Sequence, residues 1–393
     1  MDVQTAFSKF TKIEVHPEIL EIYRYDFSLI PKPLLKFVKK PLIVVQPNKI
    51  DDLVRILEIC ERFGLSIVPR GSATSAYGGC VPLKECVVID FKRISNFEFR
   101  ENAVVAEGGA IWMEIERHAN KIGKALRVYP TSALVSTVGG WIAQSGYGIG
   151  SLRYGGIGDN LEWIEVVDFE GLRIVKERDL RRYVGAFGTT GLIARACIRL
   201  RENSEIRAKA IACKFSDAIS RLENAYHATF KDSRLMQMEG YDAQDTLLLC
   251  SEDIEGNELG AKMWARRLTP LRVASKGKRV LSEVVVPYEK ATDFYENAKR
   301  IAEGIEAIFS KDCVVFLGSF SADYKNMIKA LKFVRIAEKL EGKVYATGML
   351  FSHKSCKELR DFKREVDPKD LLNPKKLEPN IFSRIIGVLE RFL

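Results

Sequence analysis

The segment Pro69-Arg70-Gly71-Ser72-Ala73-Thr74-Ser75-Ala76-Tyr77-Gly78-Gly79 is the first place where this sequence could do chemistry. Residues without bulk let a backbone approach a ligand closely, and successive N–H groups can cradle a pyrophosphate. The segment lacks the G-x-G-x-x-G spacing of a Rossmann turn and the Gly-Lys-Ser/Thr of a Walker loop. Taken alone, it reads equally well as a turn. A second stretch runs from Pro130-Thr131-Ser132-Ala133 through Ser136-Thr137-Val138-Gly139-Gly140-Trp141-Ile142-Ala143-Gln144-Ser145-Gly146. There Ser136 and Thr137 can donate hydroxyls to phosphate. Gly139 and Gly140 open a helix whose N-terminus favours anions. Arg153-Tyr154-Gly155, with Asp159 beyond it, is a third such stretch. Gly185-Ala186-Phe187-Gly188-Thr189-Thr190-Gly191-Leu192-Ile193 is a fourth.

Acid–base and metal chemistry is sparser. The four histidines are His16, His118, His227 and His353. His118 falls on a helix face and His16 in an N-terminal arm, and His227 is expected in a helix. His353 lies in Thr347-Gly348-Met349-Leu350-Phe351-Ser352-His353-Lys354 and is a candidate general base, the commonest role of a catalytic histidine. Its alternative is a structural hydrogen bond. The eight cysteines form no C-x-x-C pair, which argues against an internal cluster or zinc site. They read as small buried hydrophobes with reduced thiols, as in a cytoplasm. No metal is expected.

These loops need elements to hold them. Pro41 to Pro47 is a β-branched run bracketed by prolines, hence a strand. Asn48 is placed to cap the next helix, with Asp51 and Asp52 in its first turn and Ile50, Leu53, Val54 and Leu57 at helical spacing. Gly64 stops it, and Leu65–Val68 is a second strand that feeds the first loop. Strands follow at Val87–Phe91, Ala103–Glu107, Leu161–Asp168, Leu172–Val175 and Leu192–Leu200, with a helix over Ala110–Ile122. From about residue 203 the glycines thin out. Val280–Pro287 and Val314–Phe320 read as strands, Lys290–Ile305 and Asn326–Leu340 as helices. This is an α+β pattern with an antiparallel sheet. Residues 1–40 form a polar, helical arm, and 346–379 a loop-like segment. Residues 380–393 carry an amphipathic helix with Ile381, Phe382, Ile385, Ile386, Leu389 and Phe392 on its apolar stripe.

The chain has 393 residues, 47% hydrophobic and 29% charged, with a formal charge of +9. That is a globular composition with more than one core and a surface suited to anionic ligands. No basic stripe interleaved with aromatics points to nucleic acid. The N-terminus does not read as a signal peptide, and no apolar run of about 18 residues reads as a membrane span. A cytoplasmic protein is expected, with peripheral membrane contact through 381–393 left open.

In order and spacing, the four loops resemble those of the FAD-linked oxidases related to vanillyl-alcohol oxidase and p-cresol methylhydroxylase. Within that family, the sequence most resembles the D-lactate and glycolate dehydrogenase flavoproteins. Those carry P-R-G-x-x-T-S, T-x-G-G, R-Y-G and G-x-x-G-I/L-I, all present here between Pro69 and Ile193. The ending Asp367-Pro368-Lys369-Asp370-Leu371-Leu372-Asn373-Pro374 is similar to their D-P-x-x-x-L-N-P close. The resemblance covers most of residues 40–377 and is weaker from 203 to 345.

It implies an α+β fold: a two-subdomain FAD-binding domain over 41–202 and a substrate domain with an antiparallel sheet over 203–345. Residues 346–379 would return to the FAD domain. Amides of Arg70, Gly71, Ser72, Ala73, Thr74 and Ser75 would hold the FAD pyrophosphate. Pro130, Thr131, Thr137, Gly139, Gly140, Ala143 and Gly146 would line the isoalloxazine and ribityl path, with Gly191 and Ile193 on the opposite side of the nucleotide. Asn373 would bring the C-terminal segment back. Covalent members carry a histidine in the first loop or a cysteine in the second. Neither stands here, so FAD is expected without a covalent bond.

The implied activity is dehydrogenation of a small alcohol or 2-hydroxy acid such as D-lactate or glycolate, by hydride transfer to flavin N5. Electrons would pass to oxygen, a quinone or an iron–sulfur subunit. His353, Arg267 and Glu283 are the catalytic candidates, with Arg272 in the same stretch. The family's H-x-G-D-G-N-x-H motif and its later E-H-G are absent from this sequence, which weakens the hydroxy-acid expectation. The alternative is a non-catalytic FAD subunit that relays electrons or scaffolds a larger dehydrogenase.

Overall fold

The computed structural model describes residues 3–268 and 278–393. Its strands make three sheets. The first contains β1 (Lys12–Glu14), β2 (Ile43–Gln46), β3 (Ser66–Arg70) and β4 (Cys86–Asp90), in the order β1-β2-β4-β3. β2 and β3 run parallel to β4, and β1 pairs antiparallel with β2. The parallel strands follow from the helix Ile50–Phe63, which carries the chain back across the sheet. Leu53, Ile56, Leu57 and Cys60 bury its inner stripe against Ile43, Val45, Ile67 and Ile89. Gly64, at φ 65°, ends it in a left-handed turn.

The second sheet holds β5 (Phe97–Phe99), β6 (Ala103–Glu107), β7 (Lys124–Leu126), β8 (Leu161–Asp168), β9 (Gly171–Lys176) and β10 (Leu192–Glu202). Its order is β5-β6-β10-β8-β9, with β7 on the far end of β10. The third holds β11 (Arg207–Ala212), β12 (His227–Lys231), β13 (Thr246–Ser251), β14 (Arg279–Val286), β15 (Gly304–Phe309), β16 (Val314–Ser321) and β17 (Lys343–Val344). Its order is β11-β13-β12-β15-β16-β14-β17, and every pairing is antiparallel.

Side chains alternate across a strand, so the third sheet has two distinct faces. Val284, Val286, Phe316, Phe320, Ala307 and Phe230 point to a core shared with the helices Tyr288–Ala298 and Tyr324–Lys339. There Phe294 and Phe333 pack on Phe316 and Phe320, with ring centroids 4.6 to 5.9 Å apart. The opposite face carries Glu283, Leu317, Glu306 and Lys231, which stand in register across four neighbouring strands.

Four local expectations change. Lys49, not Asn48, stands at the helix cap, and the Asp52 carboxylate takes the amides of Asn48 and Lys49 at 3.0 and 3.2 Å. Asn48 instead accepts from Arg93 at 2.7 Å. The helix expected to reach Ile305 ends at Ala298, because Gly304–Phe309 pairs on both sides as β15. His227 lies on β12, not in a helix. The arm contributes β1 to the first sheet as well as helices.

Candidate functional site

The first loop leaves the end of β3. The amides of Gly71, Ser72, Ala73, Thr74, Ser75 and Ala76 donate to no protein acceptor among the described residues. Six consecutive unsatisfied donors demand a partner, either water or an anionic ligand. The loop is held from outside. The Arg70 guanidinium donates to the Tyr25 carbonyl at 2.8 Å and lies over the Tyr23 ring at 4.9 Å. Phe27 N donates to the Ala73 carbonyl at 3.1 Å. Ala73 itself sits at φ 56°, a conformation costly for a residue with a Cβ.

Gly71 brings the first loop to the second. A Cβ there would lie 2.1 Å from Thr137 Oγ1, so no other residue fits. Thr137 Oγ1 accepts from Gly140 N at 3.3 Å, which leaves its own hydrogen to donate. Gly139 N donates to the Gly108 carbonyl at 2.8 Å, and a Cβ on Gly108 would strike the Ile193 carbonyl at 2.4 Å. Thus Gly139 and Ile193 meet through Gly108, a residue the motifs did not single out. Pro130, Thr131 and Ala143 lie along the same loop, and Ala143 accepts from Phe187 N at 3.0 Å. Gly146 is packed on the Trp141 indole.

The fourth loop closes on the first. A Cβ on Gly79 would lie 3.1 Å from the Phe187 ring, and one on Gly188 would lie 2.7 Å from Pro69. Asn373 joins them: its amide donates to the carbonyls of Gly79 at 2.8 Å and Phe187 at 2.7 Å. Asn373 Oδ1 is buried without a partner. Ser145, Phe187 and Asn373 share positive φ with Ala73. Two further residues of the motifs have these neighbours. Gly191, at φ 158°, packs on Val166 and Tyr183. Arg153 turns away from the loops to a two-bond pair with Glu252 at 2.8 and 2.9 Å.

The model of the FAD binding domain family matches residues 41–175. This chain carries an FAD-binding domain. The FAD-binding domain implied by the loop motifs is therefore matched over residues 41–175, with FAD as its cofactor.

Among curated proteins, the chain is 30% identical over 204 residues to "Glycolate oxidase subunit GlcD" of Bacillus subtilis, covering 49% of this chain and 42% of that one. It is 24% identical over 281 residues to "D-lactate dehydrogenase [cytochrome], mitochondrial" of Kluyveromyces lactis, covering 66% and 47%. The chain thus spans less than half the length of these relatives. Among solved structures, an alkyldihydroxyacetonephosphate synthase superposes with a TM-score of 0.73 at 19% identity, over 93% of this chain and 82% of that one. The 6-hydroxy-D-nicotine oxidase of Arthrobacter nicotinovorans gives 0.65 at 12% identity, over 94% and 98%. These two likenesses concern fold.

FAD fits this cradle. Its pyrophosphate would take the free amides of 71–76 and the Thr137 hydroxyl, and Asn373 Oδ1 is an acceptor still without a donor. The third sheet roofs the same place. Tyr77, from the first loop, donates to Glu283 Oε2 of β14 at 2.5 Å. The Tyr345 hydroxyl accepts from Tyr147 N, in the second loop, at 2.9 Å. The Tyr345 ring lies 6.4 Å from that of Tyr77 and 6.2 Å from that of Tyr147. Glu283 is enclosed yet partly accessible. Burial raises its pKa, the Tyr77 hydrogen bond opposes the rise, and Glu306 adds to it. Burial and the Glu283 charge drive the Tyr77 hydroxyl well above its ordinary value, so Tyr77 stays a donor.

The other catalytic candidates have different partners. Arg267 donates to the Tyr129 hydroxyl at 3.0 Å and stacks on Trp264 at 4.1 Å. Tyr129 directly precedes Pro130, so Arg267 stands at the edge of the second loop, and its charge also acts on His227. His353 Nε2 meets Glu390 Oε2 of the helix Ile381–Glu390 at 3.1 Å. It lines a cavity of about 530 Å³ with Arg335, Arg384 and Val388. None of its contacts reaches Glu283 or the loops. Arg272 lies outside the described residues. Tyr77, Tyr147 and Tyr345 were missed as site residues; only the position of Tyr77 inside a glycine-rich loop signalled any of them.

Proposed function

We propose that this chain is an FAD-dependent dehydrogenase acting on the CH–OH carbon of a small alcohol, with FAD held without a covalent bond. The observation that carries the reading is the Tyr77–Glu283 hydrogen bond, which joins a cofactor loop to the inner face of the antiparallel sheet. Bound FAD supplies the two-electron acceptor. Glu283 then takes the hydroxyl proton as the substrate gives up its hydride and becomes a carbonyl compound. Tyr77 orients the carboxylate, and Tyr345 and Tyr147 wall the chamber against water. Reoxidation falls to a separate acceptor, an iron–sulfur subunit or a quinone. In support, the two curated relatives are named as a subunit and as a cytochrome-linked enzyme. The 2-hydroxy acids named by those relatives are the first compounds to try.

The test is anaerobic mixing of the FAD-loaded chain with a panel of small alcohols and hydroxy acids, read by flavin absorbance. Bleaching that falls at least a hundredfold in Glu283→Gln, with FAD content unchanged, supports the reading. A flavin that dithionite reduces but no panel member does would overturn it in favour of an electron-relay subunit.

A further inference from the structure

The cavity of about 530 Å³ beside His353 shares no lining residue with the cofactor loops. Its walls come from the helix Tyr324–Lys339, the turn Ser352–Lys354 and the terminal helix Ile381–Glu390. Three polar atoms of its lining residues are buried without a hydrogen-bond partner: Arg335 Nε, His353 Nδ1 and Glu390 Oε1. Buried polar groups are ordinarily paired, so three at one opening call for a ligand or water to complete them. Glu390 is 6% exposed. Its Oε2 takes His353 Nε2 at 3.1 Å and Lys354 Nζ at 3.0 Å, which leaves Oε1 for a further donor. Burial would raise the Glu390 pKa, but the hydrogen bonds from His353 and Lys354 outweigh it and bring it down, so the carboxylate stays an acceptor. Gly387 forms part of the wall. A Cβ there would meet the His353 ring at 3.7 Å, an ordinary contact, so the surrounding protein does not require glycine. Glycine inside a helix is unfavourable, and what it leaves here is open space.

The charge balance favours an anion. Arg335 and Lys354 share Glu338, at 2.9 and 2.5 Å. The guanidinium groups of Arg384 and Arg391 meet no acceptor among the described residues. These two stand seven residues apart, two helical turns on one face, and flank Gly387. Four permanent cations thus face two carboxylates, Glu338 and Glu390. Three guanidinium groups outnumber the two oxygens of a carboxylate and match the three of a phosphate monoester. We propose that this cavity binds a small phosphate monoester whose body carries a hydroxyl group. Arg335, Arg384 and Arg391 hold the phosphate, and the hydroxyl donates to Glu390 Oε1. The volume falls within the range of small-molecule sites. The proposal is independent of the dehydrogenase reading.

Glycerol 3-phosphate, inorganic phosphate and glycerol are each titrated calorimetrically into the FAD-loaded full chain. The flavin spectrum is recorded alongside. Glycerol 3-phosphate is expected to bind at least tenfold more tightly than inorganic phosphate, glycerol to give no heat of binding, and the flavin spectrum to stay unchanged. Arg384→Gln combined with Arg391→Gln should weaken glycerol 3-phosphate at least tenfold. Neither guanidinium has a partner to lose, so the melting temperature should stay near that of the parent. Gly387→Leu should fill the opening and abolish binding while FAD content is kept. If that variant does not fold, the double arginine variant decides. No binding of glycerol 3-phosphate overturns the proposal, and so does binding no tighter than that of inorganic phosphate. Binding that survives in either folded variant overturns it too. A perturbed flavin spectrum would put the ligand beside the cofactor and overturn it as well.

Discussion

At the scale of single residues, the site depends on where a side chain is missing and where one is buried. Gly71 has no room for a Cβ because Thr137 Oγ1 occupies that point. Gly71→Ala is expected to push the two loops apart and cut FAD content of the purified chain at least tenfold, measured by absorbance after release of the flavin. Tyr77 offers a prediction with a sign. Its hydrogen bond holds the Glu283 pKa down against burial. Tyr77→Phe removes that bond, so the Glu283 pKa rises further. The acid limb of kcat/KM should then move to higher pH, with a smaller change in KM. A limb that stays in place would separate Glu283 from the proton transfer. Gly71 and Glu283 were both legible in the sequence, one as part of a loop motif and the other as a weak candidate. Tyr345 was not, because nothing in its own neighbourhood marks a tyrosine that meets two loops from another part of the chain.

At the scale of elements, short bonds between loops do what long elements do elsewhere. Asn373 ties the first and fourth loops with two buried hydrogen bonds. Asn373→Ala leaves the Gly79 and Phe187 carbonyls unpaired, at a cost of about 1–3 kcal/mol each. The melting temperature should fall, and added FAD should restore less of it than in the parent. On the outer face of the third sheet, Phe333 fills the space between Phe294 and Phe320. Phe333→Ala is expected to destabilise the chain by about 3–5 kcal/mol in denaturant unfolding. The elements themselves were partly readable. The helix Ile50–Phe63 follows its periodicity, and β14 and β16 follow their β-branched runs. β12 and β15 were missed because their short stretches, His227–Lys231 and Gly304–Phe309, become strands only through the neighbours they pair with.

At the scale of the whole molecule, the contacts between the second and third sheets carry acid sensitivity. His227 is 2% exposed. Burial, with Arg267 and Lys231 nearby, lowers its pKa to about 3. The folded chain therefore resists the proton that the unfolded chain binds near pH 6.5. Stability is full above that value and drains away as pH falls from 6.5 towards 3. Glu252 acts in a lower window. Burial would raise its pKa, but hydrogen bonds from Arg153 and Ser204 outweigh it and bring it to about 2. That contribution is lost only between the ordinary carboxylate value and 2. Melting temperature should thus drop first between pH 6.5 and 4.5. His227→Gln should flatten that part of the curve and leave the more acidic part in place.

The sequence alone determined the cofactor and the class of fold. A backbone cradle needs glycines and small residues at set spacings, and those are local properties that survive in a string of letters. It also determined that the four loops come from one continuous region, with Asn373 returning to them. Only the tertiary structure decided which acidic group meets the cofactor loops. Glu283 and Tyr77 are more than two hundred residues apart and meet because sheet register, a long-range property, points one of two alternating faces at the cofactor loops. The same register aligns Glu306 and Lys231 on that face, while His353 packs against the terminal helix.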